Sequence, residues 1–235
     1  MTKALATGLG YILNFLYQIF GNYGITIIVM TLIIRIIIFP LYNMQMKSSM
    51  QMQTLQPKIK EIQTKYANDR EKMNEKIQEL YQESNVKPSL GCLPLLIQLP
   101  IIWGLFGLLR NPLDYVSNNS EMILAVHEKF LWVSDLSQPD LWIMPIIAGV
   151  ATFISMKITQ SSSNAGNNPA QGSMKAMLYF MPIMIVWMGR TLPAGLCLYW
   201  VISYIFQIGQ TKFVQIQKKK MNKKSNKDNK KKKSK

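Results

Sequence analysis

The sequence contains little of what metal or redox sites are built from. Only two cysteines and one histidine occur in 235 residues. Cys92 and Cys197 lie near opposite faces of the predicted membrane, so we expect no disulfide between them. His127 stands in a polar loop, and no cluster of His, Cys, Asp and Glu has metal-ligand spacing. We therefore expect no metal, no cofactor and no enzymatic activity.

Acidic residues are also scarce, and none lies inside a long apolar run. The chain has 12 Asp and Glu against 27 Lys and Arg. The acidic residues fall in segments 43–88 and 111–140 and in the lysine-rich tail, with Asp140 at the edge of an apolar run. A chain of buried Asp, Glu and His for proton transfer is therefore excluded.

Long apolar runs recur along the chain, which is 49% apolar and 17% charged. A run of ~20 residues, or slightly fewer, is enough to cross a bilayer, and in lipid each run must satisfy its own backbone as a helix. The sequence predicts an all-α polytopic membrane protein with five transmembrane helices. The predicted segments are an outer interfacial amphipathic helix (1–22), TM1 (23–42), a cytoplasmic helical hairpin (43–88), TM2 (89–110), an extracellular loop (111–139), TM3 (140–159), a cytoplasmic loop (160–174), TM4 (175–190), TM5 (193–212) and a disordered basic cytoplasmic tail (213–235).

The distribution of positive charge predicts the orientation in the membrane. Segment 43–88 carries eight Lys and Arg residues, whereas the 111–139 loop is acidic. Positive loops stay in the cytoplasm, so the N-terminus is predicted outside and the C-terminus inside. Because an outside N-terminus usually requires export, we expect a targeting segment upstream of residue 1.

The cytoplasmic segment shows two apolar patterns of helical period, separated by Ala67-Asn68-Asp69. This predicts an antiparallel hairpin with Asp69 as the N-cap of its second arm. Methionines are dense here, at Met44, Met46, Met50, Met52 and Met73. They suit a surface that receives varied apolar sequences, and they are equally typical of ordinary hairpin packing.

One arginine lies within the first apolar run, in the stretch TLIIRIIIFP. An ionised arginine at this depth costs from ~2.5 to more than ~10 kcal/mol, so Arg35 needs a partner or water. No span offers a carboxylate, which leaves two explanations. Either the side chain extends to the inner headgroups, or it faces a hydrated groove that opens to the cytoplasm.

Polar stripes on four of the predicted helices favour the groove, although such stripes also serve as hydrogen-bonded packing between helices. Around Arg35 the candidate groove residues are Thr31, Gln98, Thr152, Ser155, Trp200, Ser203, Tyr204 and Gln207. A positive groove of this kind is expected to attract transient anionic groups. A small transporter or anion-selective channel that uses Arg35 as its binding charge is the alternative function, although no repeat of the kind common in transporters is visible.

Four ordered motifs resemble the YidC/Oxa/Alb family of membrane protein insertases, and most closely its short Gram-positive form. They are IIRIIIFPL in the first span, LQPKIKEIQTKY in the hairpin, GCLPLLIQLPIIWGLF in the second span and LPAGLCLYWVISYIFQIGQ in the fifth. The short proteins commonly carry a lipid-modified cysteine near the mature N-terminus, and here no cysteine precedes Cys92.

The resemblance implies a membrane insertase and chaperone of the bacterial plasma membrane that uses no nucleotide. It works alone or beside the Sec translocon, through a hydrophilic groove open to cytoplasm and lipid but closed to the outside. Arg35 occupies the position of the family's functionally important arginine, which draws in the acidic outer segment of a nascent membrane protein. The implied partners are such nascent chains, with ribosomes or targeting factors at the basic tail. Polylysine by itself attracts RNA or anionic lipids, and we expect no DNA partner.

Overall fold

The computed structural model describes residues 2–86, 93–110, 115, 124–160 and 169–233. Within these ranges the chain is helical, apart from turns and an isolated β-bridge between Phe130 and Val133. The all-α prediction is thus confirmed. The helices are α1 (Thr2–Phe20), α2 (Tyr23–Lys65), α3 (Arg70–Glu83), α4 (Leu93–Arg110), α5 (Ile143–Gln160), α6 (Pro169–Gly189) and α7 (Ala194–Lys233).

By length and hydropathy, one segment of the described helices, Tyr23–Met52, is sufficient to cross a membrane. Only 28% of its most apolar window is buried inside the protein, which leaves most of that surface for lipid. Three shorter apolar helices cover Gln98–Leu109, Ile143–Thr159 and Ala176–Gly189. The count of five spans stays a prediction.

The helix that contains the first predicted span does not end at residue 42. Helix α2 continues without a break into the first arm of the predicted hairpin and passes through Pro40 and Pro57. Extending an existing helix costs less than starting a new one, and residues 43–56 contain neither glycine nor proline. The helix therefore has no break between the predicted TM1 and the hairpin, and the membrane boundary at residue 42 stays a prediction.

Side-chain caps and one glycine set the turns between the first three helices. Gly21 has a φ of 57°, a conformation that glycine adopts without strain, at the turn between α1 and α2. The Asn22 side chain then accepts a hydrogen bond from the Ile25 N–H at 3.0 Å. At the start of α3, Asp69 accepts from the Lys72 N–H at 3.0 Å.

Two other helices extend beyond the predicted segment bounds. Helix α7 continues to Lys233, where a disordered tail was predicted from residue 213. Lysine has good helix propensity, and the tail extends a helix that is already formed. Helix α6 begins at Pro169, inside the predicted loop 160–174, and proline suits the first helical position. Cys92 and segments 87–92, 111–114, 116–123 and 161–168 lie outside the described residues.

Helix α7 is central to the packing of the bundle. It packs along both α2 and α5, α6 packs on α5, and α1 packs on α2 and α4. The main apolar core occupies the predicted outer half of these helices. Its fully buried side chains include Leu13, Tyr23, Ile27, Met30, Leu105, Leu108, Leu136 and Leu196.

Residues 124–142, called here the outer loop from their predicted side, fold against this core. Within the loop, His127 Nδ1 lies 2.9 Å from an Asp135 carboxylate oxygen, and the Ser137 hydroxyl donates to the other oxygen at 2.7 Å. Partial burial opposes ionisation of Asp135, but the hydrogen bonds from Ser137 and His127 outweigh it and hold the pKa of this carboxyl below its ordinary value. The side chain is therefore an anion at neutral pH.

The contact between α5 and α6 predicts a test of packing. A methyl group at Gly149 would overlap the Val186 side chain and lie 3.2 Å from the Pro182 carbonyl oxygen. Gly149→Ala is expected to destabilise the protein by about 1–3 kcal/mol, the usual cost of overpacking. Gly209→Ala on α7 is the matched control, because nothing lies within 4 Å of its added methyl. Thermal unfolding in detergent measures both, and equal melting temperatures for the two variants would contradict the packing described.

Candidate functional site: a polar region around Arg35

Arg35 is half-buried on α2, one turn below the fully buried Thr31. Among the residues that the structure describes, its guanidinium makes neither an ion pair nor a hydrogen bond. The Thr31 hydroxyl donates to the Ile27 carbonyl of its own helix at 2.6 Å. Since that proton is already used, Thr31 presents only acceptor lone pairs to its surroundings.

Two tyrosines, one on α2 itself and one on α7, lie within electrostatic range of the Arg35 charge. Tyr42 is two turns further along α2, and Tyr204 is on the facing part of α7. The Tyr204 hydroxyl contacts the side chain of Thr152 on α5. The Thr152 hydroxyl in turn donates to the Ala148 carbonyl at 2.7 Å. Arg35 therefore lies beside a polar surface contributed by α2, α5 and α7.

A hydrogen bond between Tyr42 and Thr211 joins α2 to α7 below Arg35. Their hydroxyl oxygens are 2.8 Å apart. Thr211 already donates to the Gln207 carbonyl at 2.8 Å, so Tyr42 is the donor in this pair. The Gln207 side chain also contacts the Tyr42 hydroxyl. This pair fixes the register of the two helices on the predicted cytoplasmic side of Arg35.

Several buried polar atoms in the same half of the bundle have no hydrogen-bond partner among the described residues. They are the hydroxyls of Ser155 and Ser203, the Asn43 side-chain oxygen, and both polar atoms of the Gln210 amide. Ser155, Ser203 and Gln210 are 2%, 1% and 5% exposed. Buried polar groups are nearly always hydrogen-bonded. Unpaired groups in these numbers are typical of a region that water or a polar ligand occupies.

The remaining predicted groove residues lie higher in the bundle. The Gln98 side chain on α4 donates to the Tyr199 hydroxyl on α7 at 2.7 Å, so its amide joins two helices. Trp200 is 4% exposed and belongs to the apolar core. The structure therefore brings together Arg35, Tyr204, Thr152 and Gln207, whereas Gln98 and Trp200 lie at the boundary with the core.

Sequence reasoning missed Tyr42, Asn43, Gln210 and Thr211. A signal was present, because Tyr42 follows Arg35 by seven residues and Thr211 follows Tyr204 by seven. Seven residues are close to two helical turns, so each pair lies on one face. The spans were predicted to end at residues 42 and 212. Because these ends placed the four residues at the membrane edge, the pattern was overlooked.

The chemistry of this region is that of one cation among hydroxyl and amide groups. In the described part of the chain no group of three or more His, Cys, Asp or Glu residues could hold a metal ion. A guanidinium offers five donors in a planar fork that matches a carboxylate. The arrangement can therefore bind an anionic group reversibly and hydrate a polar segment.

Comparison with known proteins places the chain in a family. A family model described as 60Kd inner membrane protein matches residues 15–224. The membrane protein insertase YidC of Fusobacterium nucleatum is 39% identical over 207 residues, which cover 88% of this chain and 92% of that protein. The chain belongs to the YidC/Oxa/Alb family. Because the family model describes an inner membrane protein and the relatives are bacterial, the chain is a bacterial membrane protein.

Further members of the YidC/Oxa/Alb family differ in length. YidC 2 of Listeria innocua is 41% identical over 209 residues, covering 86% of this chain and 68% of that protein. A crystal structure described as active YidC insertase with the first transmembrane domain resolved has a TM-score of 0.68 and 29% identity. The match covers 88% of this chain and 45% of that one. The resemblance found in the sequence motifs is thus confirmed for the fold as well.

A thiol at position 35 would report whether the region is hydrated. We expect Arg35→Cys, in a background with Cys92→Ser and Cys197→Ala, to react with a charged, membrane-impermeant thiol reagent in inside-out vesicles, because thiols react as hydrated thiolates. Ile36→Cys is the matched control. Ile36 is the next residue, 62% exposed on the apolar surface of the protein, and its thiol is expected to stay unlabelled in lipid. Equal labelling rates at the two positions would contradict a hydrated region specific to Arg35.

Proposed function

We propose that the chain is an insertase and chaperone that inserts nascent membrane proteins into the bacterial plasma membrane and helps them fold. Its substrate would enter a positively charged hydrophilic groove that opens to the cytoplasm and to lipid. The names of the relatives, each a membrane protein insertase, support the activity. The groove is lined in this proposal by Arg35, Thr31, Thr152, Ser155, Ser203, Tyr204 and Gln207, with Gln98 and Trp200 at its upper end.

The observation that carries the proposal is the absence of a counter-ion for Arg35 in the described part of the chain. A guanidinium within an apolar layer is costly unless it is paired or hydrated. If the anion comes from a substrate, the interaction is available only during insertion. The acidic outer segment of a nascent chain is an anion of this kind, and it leaves again once its apolar segment is in lipid.

The division of the bundle into two halves supports a one-sided groove. The predicted outer half is packed with apolar side chains and covered by the outer loop. Of the unpaired polar atoms among the described residues, the Tyr23 hydroxyl lies in that half, whereas those of Ser155, Ser203, Asn43 and Gln210 lie nearer the predicted inner side. Because the inner half is hydrated in this proposal, a short polar segment of the substrate would have to cross only the outer, apolar half of the layer. Burial of the substrate's apolar span, at roughly 25 cal/mol per Å², then drives its release into lipid.

The cytoplasmic elements supply the proposed contacts with partners. The hairpin of α2 and α3 would receive the substrate first, and the lysine-rich end of α7 would contact ribosomes, targeting factors or anionic lipids. We propose that the chain acts alone or with the Sec translocon, with its N-terminus outside and its C-terminus in the cytoplasm. The eight Lys and Arg residues of 43–88 support this orientation.

Substitution of Arg35 tests the role of its charge. The assay measures insertion of a single-span substrate with an acidic outer segment into vesicles that contain the purified protein. Arg35→Ala is expected to lower this insertion by about tenfold or more. Two unit charges ~4 Å apart attract by ~1 kcal/mol in water and by ~4 kcal/mol in a partly hydrated site. Arg35→Lys should retain most activity and Arg35→Glu should lose it. A substrate with a neutral outer segment should be much less affected.

Arg190→Ala is the matched control for loss of an arginine. The Arg190 guanidinium lies 4.3 Å from the centre of the Trp142 ring at the predicted outer surface, far along α6 from the groove. Its removal should affect acidic and neutral substrates equally. Full insertion of the acidic substrate by Arg35→Ala would refute the proposed role of the charge. Solute flux through the vesicles without peptide insertion would favour a transporter or channel instead.

A further inference from the structure

Three of the helices that carry the groove, α2, α5 and α7, begin at the outer loop. The carbonyl oxygens of Leu136 and Gln138 accept from the N–H groups of Gly195 and Ala194, at 3.0 and 2.9 Å, and so cap the start of α7. The Asp140 carboxylate accepts from three backbone N–H groups at the start of α5, at 3.0 to 3.3 Å. One loop thus holds the outer ends of two groove helices.

Glu128 gives α2 the same kind of attachment. One oxygen of its carboxylate accepts from the Tyr23 N–H, the first residue of α2, at 2.8 Å. The other oxygen accepts from the Tyr17 hydroxyl on α1. The rings of Tyr17 and Tyr23 also meet edge to face, with centroids 6.5 Å apart. A single charged side chain of the outer loop therefore bridges α1 and α2.

The contact around this bridge is tight. A methyl group on Gly24 would overlap the ring of Phe130, two residues after Glu128. A methyl group on Gly195 would lie 3.1 Å from Ile27 Cδ1, so the first two turns of α2 also lie against the start of α7. Tyr23 itself is fully buried, so the start of α2 packs closely against the outer loop, α1 and the start of α7.

The position of Arg35 depends on the Tyr42–Thr211 hydrogen bond on its inner side and on Tyr23 at the outer end of the same helix. Tyr23 and Arg35 are twelve residues apart, about 18 Å along the helix axis, and no proline lies between them. The first proline of α2, Pro40, comes after Arg35. A small rotation or tilt at Tyr23 therefore displaces the guanidinium relative to Tyr204 and Thr152, which belong to the separately anchored helices α7 and α5.

We propose that Glu128 is a positioning residue: by bridging Tyr17 and the Tyr23 N–H, it sets the place of Arg35 against the polar face of α7. It acts through α2 and does not touch the substrate. This inference rests on the proposed function of Arg35 as the charge that draws in an acidic segment. According to this inference, a residue at the outer surface of the protein affects, through α2, a groove that opens on the cytoplasmic side.

A distance measurement tests the position of α2 without reference to activity. In the protein with Cys92→Ser and Cys197→Ala, spin labels at Ile37 on α2 and Ile205 on α7, both exposed side chains, report the separation of these helices by pulsed electron resonance in lipid nanodiscs. Glu128→Ala is expected to shift or broaden this distribution. Labels at Ile154 on α5 and Ile205 should show no change, because the side-chain hydrogen bonds of Glu128 among the described residues go to α1 and α2 and not to α5 or α7.

Two further variants separate the bridge from other effects. Glu128→Gln should keep the wild-type distribution, because its amide oxygen can accept from the Tyr23 N–H and its NH₂ group can donate to the Tyr17 hydroxyl oxygen. Asp135→Asn is the matched control for loss of a carboxylate. Asp135 bonds only within the outer loop, to His127 and Ser137, so the separation of α2 and α7 should stay unchanged.

The insertion assay then links position to activity. Glu128→Ala is expected to lower insertion of the acidic substrate by about tenfold, because a displaced Arg35 charge attracts the acidic segment less strongly, and to affect the neutral substrate much less. A general loss of protein stability would lower the insertion of the acidic and the neutral substrate equally. Glu128→Gln and Asp135→Asn should keep the ratio of acidic to neutral insertion found for the unmodified protein.

The outcomes distinguish this inference from the proposed function. An unchanged distribution between Ile37 and Ile205 in folded Glu128→Ala overturns the positioning role, whatever Arg35 does. If Glu128→Gln shifts this distance distribution as much as Glu128→Ala does, the positioning role is also overturned, because the proposed bridge depends on hydrogen bonds that glutamine can still make. If Arg35→Ala itself inserts acidic and neutral substrates alike, the proposed function fails, while the distance measurement still decides whether Glu128 positions α2.

Discussion

A cation without a counter-ion inside an apolar layer is the constraint on which the rest of this structure depends. Arg35 is charged at any physiological pH, and among the described residues no carboxylate lies beside it. Such a charge is tolerated only where polar groups and water reach it. The hydroxyls of Thr31, Tyr42 and Tyr204 supply the polar surroundings, and they belong to a bundle whose other half is apolar.

Much of this could be predicted from the sequence, because hydropathy and charge act locally along the chain. Apolar runs without carboxylates predict helices in lipid, and an arginine in such a run is visible without any knowledge of the fold. The stripe of Thr152, Tyr204 and Gln207 could be read from helical period alone. The motif around Arg35 and the long motif of the fifth apolar run predicted the family, which the comparisons confirm.

The features that sequence reasoning missed depend on contacts between distant segments. Gln98 was expected in the groove, but its partner Tyr199 lies 101 residues away and is fixed only when α4 meets α7. The end of the first span was placed at residue 42 because hydropathy falls there, whereas the helix itself ends at Lys65. Hydropathy reports where lipid ends, and backbone hydrogen bonds decide where a helix ends. The attachment of Glu128 to Tyr23 is likewise invisible without the fold.

The length of α2 has a mechanical consequence. Its 43 residues form one rod of about 65 Å, roughly twice the thickness of the ~30 Å hydrocarbon layer. The cytoplasmic hairpin is therefore joined to Arg35 by continuous helix and not by a slack linker. Pro40 removes one backbone hydrogen bond of that rod, just over a turn below the guanidinium, and prolines are where helices bend. A force on the hairpin that passes Pro57 is therefore transmitted along the helix to Pro40, where a bend would displace Arg35.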